Sequence, residues 1–402
     1  MRILANLFMW MFLADGCLSV IDELLAYNSG VHGLLGVRTL VAFSVVVLSF
    51  IIYGAMLFDR RLPKLILLPQ SLFAIWGMTG LWPLSFFILS DNLGVIIAGL
   101  QVSLGLLPFF VLRGEGRGLL LRPERFAGRG FSAGNLLLGI AGTLFVVPLL
   151  LVSFAGAGTV EAINKATAGF MRVDARGISM QERVYRRGDK TVRLVAMIHI
   201  GDQSYYDQLA ASVAAPHTLV LAEGVSDRGG LLTAAYSYDR VASLLGLSTQ
   251  RQMPMKGRLI GPDELRGKGE KGEFPGPDIL RADVDLSDFD PRTVEFLNML
   301  GRDVFSSDDL ASGLRTYNAW INRNMDQERY ARLMDDILTR RNRTVLDYLG
   351  QALDKYDVIV IPWGALHMRG IEEGVLARGF RLRKTEQRMS VDFSALLKKA
   401  SD

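Results

Sequence analysis

Long uncharged stretches fill the first 160 residues, and closely mixed apolar and charged positions replace them in the rest of the chain. A helix needs about 20 apolar residues to cross a bilayer. Four uncharged runs reach that length, at residues 39–58, 65–90, 92–112 and 130–160. We therefore predict an α-helical membrane region of four spans over residues 1–160. Residues 3–23 are a candidate fifth span, a helix lying at the membrane surface, or a cleaved signal peptide.

Basic residues are concentrated in alternate loops between these runs. Arg60, Arg61 and Lys64 follow the first run, five arginines follow the third between residues 113 and 129, and the turn after the second has none. Basic loops are retained on the cytoplasmic side. We therefore expect an integral protein of the cytoplasmic membrane with residues 161–402 on the outer face, periplasmic or extracellular. None of the four runs contains a charged residue, which favours an anchor over an ion pathway.

Beyond about residue 180, the pattern predicts strands that alternate with helices. Residues 183–186 and 192–198 flank Gly188 and Asp189 as a hairpin, and further strands are predicted at 218–222, 358–361 and 380–382. Helical spacing begins at Tyr206 and recurs at 232–247, 290–301, 307–319, 326–353 and 366–378, whereas residues 251–277 are typical of a long loop. Residues 161–402 are therefore predicted to form an α/β domain with a mainly parallel central sheet.

Composition separates the same two halves. The 402 residues include 45 Lys and Arg and 41 Asp and Glu, of which only 10 and 7 lie in the first 160. The net charge of +4 is small and lies beside apolar segments, so we do not expect a nucleic-acid partner. Cys17 is the only cysteine, which excludes an intramolecular disulfide and a zinc cluster built from cysteines.

Three buried-looking strands end in polar residues that could act together. His199, Glu223 and His367 each follow such a strand, and the carboxyl ends of parallel strands form the binding edge of an open α/β sheet. Two imidazoles and a carboxylate can hold a catalytic divalent metal, or they can activate water without one. Of the other two histidines, His217 is predicted on the surface and His32 belongs to the membrane half.

Arg341 falls on the apolar stripe of the long predicted helix. The other stripe positions are Tyr330, Met334, Ile337, Val345, Tyr348 and Ala352. A buried guanidinium needs a partner, so Arg341 is expected to pair with Glu223 or to hold an anionic substrate group or oxyanion. The alternative is that its long side chain reaches solvent.

Four further acidic residues are interpreted as structural. Asp202 is expected to cap the helix that follows His199. Asp283, Asp285 and Asp288 lack the glycine and the final glutamate of a calcium-binding loop, so we predict that they are loop and helix-cap residues. Their segment is expected to border the pocket.

Five segments together resemble the TraB/PrgY and TIKI superfamily, to which erythromycin esterases and haem-binding ChaN proteins are related. They are MIHIGDQSYYDQL (197–209), LVLAEGV (219–225), RADVDLSDF (281–289), RRNRTVLDYL (340–349) and VIPWGALHMRGIEEGVLARGFRL (360–382). The resemblance implies an EreA/ChaN-like fold over residues 180–385. The family has two GxxH motifs with a Glu and an Arg between them. Gly364 to His367 matches one copy, Ala196 replaces the glycine of the other, Glu223 matches the Glu, and Arg341 with Asn342 matches an Arg-Asn pair.

The resemblance implies a hydrolase-like pocket. TIKI members resemble manganese- or cobalt-dependent metalloproteases, erythromycin esterases work without metal, and PrgY-like members reduce peptide pheromone activity at the cell surface. The leading hypothesis is a membrane-anchored, divalent-metal-dependent peptidase acting on an extracytoplasmic peptide or protein, with manganese, cobalt or zinc as the metal. Its predicted metal ligands are His199, Glu223 and His367; its catalytic residues are these three with Arg341; and its secondary candidates are Asp202, Tyr206, Asn342 and Gly364.

Three alternatives remain from the sequence. The same pocket could belong to a non-catalytic module that binds a peptide or a haem-like ligand, or to a metal-independent, esterase-like hydrolase. In the third, the membrane half is the active part and the outer domain regulates it.

Overall fold

The chain forms two compact units, Met1–Glu161 and Ala162–Asp402, and each has its own apolar core. The computed structural model describes residues 1–29, 31–88, 92–112, 120–213, 215, 217–233, 247–249, 253, 256–266, 276–305 and 310–401. The first unit is helical, and the second is an α/β domain with a mainly parallel sheet.

Six α-helices account for most of the described residues of the first unit, and the last of them continues into the start of the second unit. They are α1 (Arg2–Ser29), α2 (Leu35–Phe58), α3 (Lys64–Gly77), α4 (Leu84–Phe87), α5 (Leu93–Val111) and α6 (Ala133–Ala166), with a 3₁₀ turn at Pro123–Phe126. Among the described residues, α1, α2 and α6 are long and apolar enough to cross a membrane. The protein is therefore membrane-associated through its first unit.

The four predicted runs differ in the helices that they form. The first lies within α2, most of the fourth lies within α6, and the third corresponds to α5. The second is not one helix, because Gly80 adopts a left-handed conformation between α3 and α4. Both α3 and α5 are shorter than the three helices of spanning length, so the number of four spans stays a prediction. The candidate fifth segment, by contrast, is part of α1.

Two carboxylates of α1 are buried, and each accepts hydrogen bonds from other residues of the first unit. Asp15 is buried, and its Oδ2 accepts a hydrogen bond from Nε2 of Gln101 on α5 at 2.7 Å. Asp22 is also buried and accepts from the backbone N–H of Leu34 at 2.8 Å and from Arg38 at 3.3 Å. These partners keep the carboxylates inside the protein, where their cost is lower than in lipid.

Among the described residues of the second unit, eight strands form one mixed sheet. They are β1 (Met171–Asp174), β2 (Gly177–Arg187), β3 (Lys190–Met197), β5 (Thr218–Ala222), β7 (Arg258–Leu259), β8 (Asp278–Arg281), β9 (Val358–Gly364) and β10 (Arg381–Asp392). The strand order is β1-β2-β3-β9-β5-β8-β7, and all pairs from β3 to β7 are parallel. β1, β3 and β10 pair with β2 in antiparallel fashion. A separate small sheet pairs β4 (Ile200–Gly201) with β6 (Ser248–Thr249).

The helices of this unit follow the strands. They are α7 (Gln203–Val213), α8 (Pro262–Leu265), α9 (Pro291–Met299), α10 (Leu310–Asn324), α11 (Gln327–Met334), α12 (Arg341–Ala352), α13 (Met368–Ala377) and α14 (Phe393–Ser401). The largest core cluster lies around β3, β5 and β9 and includes Leu194, Leu221, Ile361 and Trp363. Continuous apolar strands covered by helices explain why β9 is buried along nearly its whole length.

Most predicted elements of this half are confirmed, and the exceptions have physical causes. The last strand, β10, is much longer than the predicted residues 380–382. Its length was underestimated because its residues are mostly exposed and charged and form no continuous apolar run. Residues 251–277 are not a loop throughout, since β7 and α8 form within them. Most of the helix predicted at 232–247 lies outside the described residues.

A π-helical segment, Asp335–Arg340, joins α11 to α12 into one continuous helix. Its wider turn shifts the phase of the buried stripe. Leu333 is buried before the turn, whereas Tyr330 is 55% exposed, so its predicted stripe position is wrong. Buried Asp336 anchors the segment by accepting hydrogen bonds from Thr293 Oγ1 at 2.7 Å and the N–H of Asp290 at 2.8 Å. Arg341 then begins α12.

Candidate active site

Four neighbouring parallel strands end at the same edge of the sheet, and each leads into a polar side chain. Met197 of β3 is in register with Gly364 of β9, and Ala222 of β5 is in register with Arg281 of β8. The residues that follow these strand ends are His199, His367, Glu223 and Asp283. Arg341 reaches the same edge from the start of α12 and contacts three of these four side chains.

The guanidinium of Arg341 is the centre of the site, and its side chain is only 11% exposed. It forms a bidentate pair with Asp283, with Nε donating to Oδ1 at 3.0 Å and Nη2 to Oδ2 at 2.7 Å. Nη2 also donates to Oε1 of Glu223 at 2.8 Å. Nη1 donates to Nε2 of His367 at 3.1 Å and, more weakly, to the carbonyl of Ile337 at 3.5 Å. An arginine has five N–H donors, so all of them are engaged.

These contacts bear on the roles predicted for Arg341. The expected pairing with Glu223 is present, and the side chain does not reach into solvent. No donor is left for a substrate carboxylate or an oxyanion. Burial lowers the pKa of Arg341, but the hydrogen bonds and charges of Asp283 and Glu223 outweigh it and raise that pKa above its usual value. Arg341 therefore holds Asp283, Glu223 and His367 together in this arrangement.

Backbone N–H groups also donate hydrogen bonds to the two carboxylates that bind Arg341. Asp283, whose side chain is fully buried, accepts from the N–H of Gly224 and of Val284, each at 2.9 Å. Glu223 Oε2 accepts from the N–H of Gly364 at 2.8 Å, and its side chain is 8% exposed. Because each carboxylate oxygen can accept two hydrogen bonds, both oxygens of Glu223 retain accepting capacity, whereas those of Asp283 are saturated.

The imidazole of His367 is neutral and fixed in one tautomer. Nε2 accepts a hydrogen bond from Arg341, so Nδ1 carries the hydrogen and donates to Oδ1 of Asn342 at 2.8 Å. Burial, together with the charge of Arg341, lowers the pKa of His367 to about 4. Trp363 packs edge-on against the ring with centroids 5.1 Å apart. Nε2 lies 3.6 Å from Oε1 of Glu223.

His199 differs from the other predicted ligands because it is exposed. It is close enough to contribute a small lowering of the pKa of His367. Its loop is held by the next helix, since the hydroxyl of Tyr206 donates to the carbonyl of Ile198 at 2.8 Å and that of Tyr205 donates to the carbonyl of Ala196 at 2.9 Å. Burial raises the pKa of Tyr206, so this hydroxyl stays protonated.

The arrangement does not fit a metal ion held jointly by His199, Glu223 and His367. The guanidinium of Arg341 lies against both Glu223 and His367, and it takes the Nε2 lone pair that a metal would need. A divalent cation there would face a fixed positive charge at close range. Among the described residues, no group of three or more His, Cys, Asp and Glu side chains is arranged to hold a metal ion.

The secondary candidates have structural roles in this arrangement. Asp202 Oδ2 accepts from the N–H of Asp392 at 2.9 Å and so links the His199 loop to β10. Asn342 fixes the ring of His367, and Gly364 supplies the N–H bound by Glu223. A Cβ atom at Gly364 would lie 3.5 Å from Glu223 Oε2, an ordinary contact, so space alone does not demand glycine there.

Asp283 lies in the loop after β8, as predicted, but its part in the site was not predicted. Its carboxylate is the bidentate partner of Arg341. The interpretation holds for its neighbours, since Asp285 accepts from the N–H of Ser287 and Asp288 accepts from that of Asp285. Recognising residues 278–281 as a strand would have placed Asp283 at the same edge as Glu223.

Comparison with known proteins adds no assignment to this geometry, because no family model, curated protein or solved structure matches the chain.

The depressed pKa of His367 predicts how the protein responds to acid. We expect its imidazole to titrate near pH 4, whereas an unfolded histidine titrates near 6.5. The unfolded chain therefore binds the extra proton between these values, and stability falls by up to about 3 kcal/mol as the pH drops through this window. Histidine-selective NMR of the full chain in detergent measures the titration, with His367→Gln identifying the resonance. A midpoint at 6.5 or above would contradict the assignment.

Proposed function

We propose that the protein is a membrane-anchored hydrolase with a metal-independent acid–base site, and that it acts on a peptide or protein outside the cytoplasmic membrane. The observation that carries the proposal is a buried carboxylate, Glu223, beside a neutral imidazole, with one guanidinium fixing both. The location supports it, since the carboxyl edge of a parallel sheet is where such folds bind ligands. The resemblance to the TraB/PrgY and TIKI superfamily, and with it an EreA/ChaN-like fold, belongs to the same proposal.

Glu223 is the general base in this proposal. Its carboxylate is held by Arg341 and by the N–H of Gly364, yet it keeps accepting capacity for a water molecule. Glu223 removes a proton from that water as the oxygen attacks the substrate carbonyl carbon. His199, the exposed imidazole at the same edge, donates a proton to the leaving amine or alkoxide as the bond to carbon breaks.

Arg341, Asp283, His367 and Asn342 act as positioning residues. The bidentate pair with Asp283 fixes the plane of the guanidinium, which in turn orients Glu223. Neutral His367 accepts from Arg341 without adding a second positive charge beside it, and Asn342 fixes the tautomer that makes this possible. The predicted role of Arg341 in binding an oxyanion is replaced by this indirect one.

The outer location of the second unit and the number of four spans also belong to the proposal. Arginine-rich loops after the first and third apolar runs support a cytoplasmic position for those loops. The second unit follows the last run and would then lie on the opposite side.

Catalysis is tested with the purified full chain and a library of internally quenched peptides. We expect cleavage that persists in a chelator, and a 10²- to 10⁴-fold loss of kcat/KM in Glu223→Gln, the usual range for removing a general base. Glu373→Gln is the matched control, because Glu373 is exposed on α13 and its carboxylate pairs with Arg369.

Two results would contradict the proposal. Activity that a chelator abolishes and manganese or cobalt restores would establish the metal-dependent alternative. Peptide or haem binding without turnover, unchanged in Glu223→Gln, would establish a binding module.

Topology is tested by labelling single cysteines with a membrane-impermeant maleimide in intact cells. In a Cys17→Ser background, Asp189→Cys in the β2–β3 turn is expected to label directly, and Arg60→Cys in the loop after α2 only after permeabilisation. Both positions are exposed, so a difference reports the side of the membrane. Labelling in the reverse order would place the second unit in the cytoplasm.

A further inference from the structure

A second concave site lies on the α/β unit, away from the strand ends. Helices α9, α10 and α11 border a shallow groove, and its empty space of about 240 Å³ includes open solvent. The groove can therefore receive at most one side chain, which would lie against its surface. Its principal lining residues are Arg292, Phe296, Trp320, Arg329, Arg332 and Leu333.

The floor of the groove is apolar. Phe296 and Leu333 are buried, and the ring of Trp320 lies 5.4 Å from that of Phe296. They belong to a small apolar cluster separate from the main core. The floor therefore favours an apolar or aromatic side chain.

Three guanidinium groups line the same groove, and two of them have no side-chain partner among the described residues. Arg332 pairs with Glu328 at 2.8 Å and with Asp290 at 3.3 Å. The guanidinium groups of Arg292 and Arg329 make no hydrogen bond or ion pair within the described part of the chain, although the charge of Arg292 helps lower the pKa of Asp290. The nearby acidic residues are already engaged: Asp290 and Asp326 accept from backbone N–H groups, and Glu328 binds Arg332.

We propose that this groove binds the C-terminal residue of a peptide. The carboxylate is held by Arg292 and Arg329, and the apolar side chain packs on Trp320 and Phe296. Two guanidinium groups without a partner among the described residues, in a groove with an aromatic floor, match an anionic group attached to an apolar one. An internal peptide segment would bury only its side chain and leave both arginines without a ligand.

The groove also predicts where a bound peptide would be cut, and this step rests on the proposed function. Leu333 lies eight residues before Arg341 on one continuous helix, which is at most about 12 Å at the α-helical rise of 1.5 Å per residue, because the segment Asp335–Arg340 is π-helical. An extended chain covers about 3.3 Å per residue. A peptide anchored in the groove would therefore present the bond about four residues from its C-terminus to Glu223.

Binding is tested on the full-length Glu223→Gln variant in nanodiscs, which separates affinity from turnover. The probe is fluorescein-labelled penta-alanyl-phenylalanine with a free or an amidated C-terminus, followed by fluorescence anisotropy. We expect at least 10-fold tighter binding of the free acid. The double variant Arg292→Gln/Arg329→Gln should remove this preference and leave binding of the amide unchanged.

A matched control changes the same charge elsewhere. Arg315 and Arg323 are exposed on α10 and do not line the groove, so Arg315→Gln/Arg323→Gln should keep the preference for the free acid. Equal binding of acid and amide, or an equal loss in the control variant, would overturn the groove as a carboxylate site. Replacing the final phenylalanine by aspartate should weaken binding at least 10-fold, and unchanged binding would contradict the apolar floor.

Cleavage by the wild-type chain separates this inference from the proposed function. Cleavage about four residues from a free C-terminus, and not from an amidated one, supports both. Binding as predicted without cleavage would support the groove as a carboxylate site and contradict the proposed hydrolase function. Cleavage that does not depend on a free C-terminal carboxylate would contradict the groove as a carboxylate site and support the proposed hydrolase function.

Discussion

The buried guanidinium of Arg341 is the interaction on which the site depends. Moving a charge out of water costs several kcal/mol unless good geometry and further hydrogen bonds compensate for it. Here the compensation comes from Asp283, Glu223 and His367, which belong to three different strand ends. The start of α12 and the carboxyl ends of β5, β8 and β9 are therefore held together by one side chain. Losing Arg341 would leave two buried carboxylates without their counter-charge, which is more damaging than losing an exposed ion pair.

The same network determines which groups remain available for chemistry. Two carboxylates, one guanidinium and a neutral imidazole give the cluster a net charge of about −1 at neutral pH, given the low pKa of His367. Because Arg341 and Asp283 use all their hydrogen-bonding capacity on the protein, Glu223 is the member of the cluster whose contacts with the described residues leave acceptor sites open. His199 lies at the exposed side. A buried base with an exposed imidazole nearby suits attack by water on a bound carbonyl group.

Sequence pattern predicted the parts of this site that follow strong apolar strands. Glu223 and His367 follow β5 and β9, whose buried runs are unmistakable, and Arg341 stood out as a charge on an apolar stripe. Asp283 was missed because β8 has only four residues and follows a segment without a clear pattern. The exposure of Tyr330 was missed because a π-helical turn changes helical phase without a mark in the sequence. The number of membrane spans is also difficult to predict from sequence, because composition does not show where an apolar run is interrupted.

A double-mutant cycle between Arg341→Met and Asp283→Asn tests the central claim most directly. The free energy of unfolding of the α/β unit is measured for both single variants and the double variant, in the full chain in detergent. If one buried pair organises the site, the double variant should be more stable than the sum of the single effects predicts, by about 2 kcal/mol or more. Single effects that add to within about 0.5 kcal/mol would show that Arg341 and Asp283 act independently, and the account would be wrong.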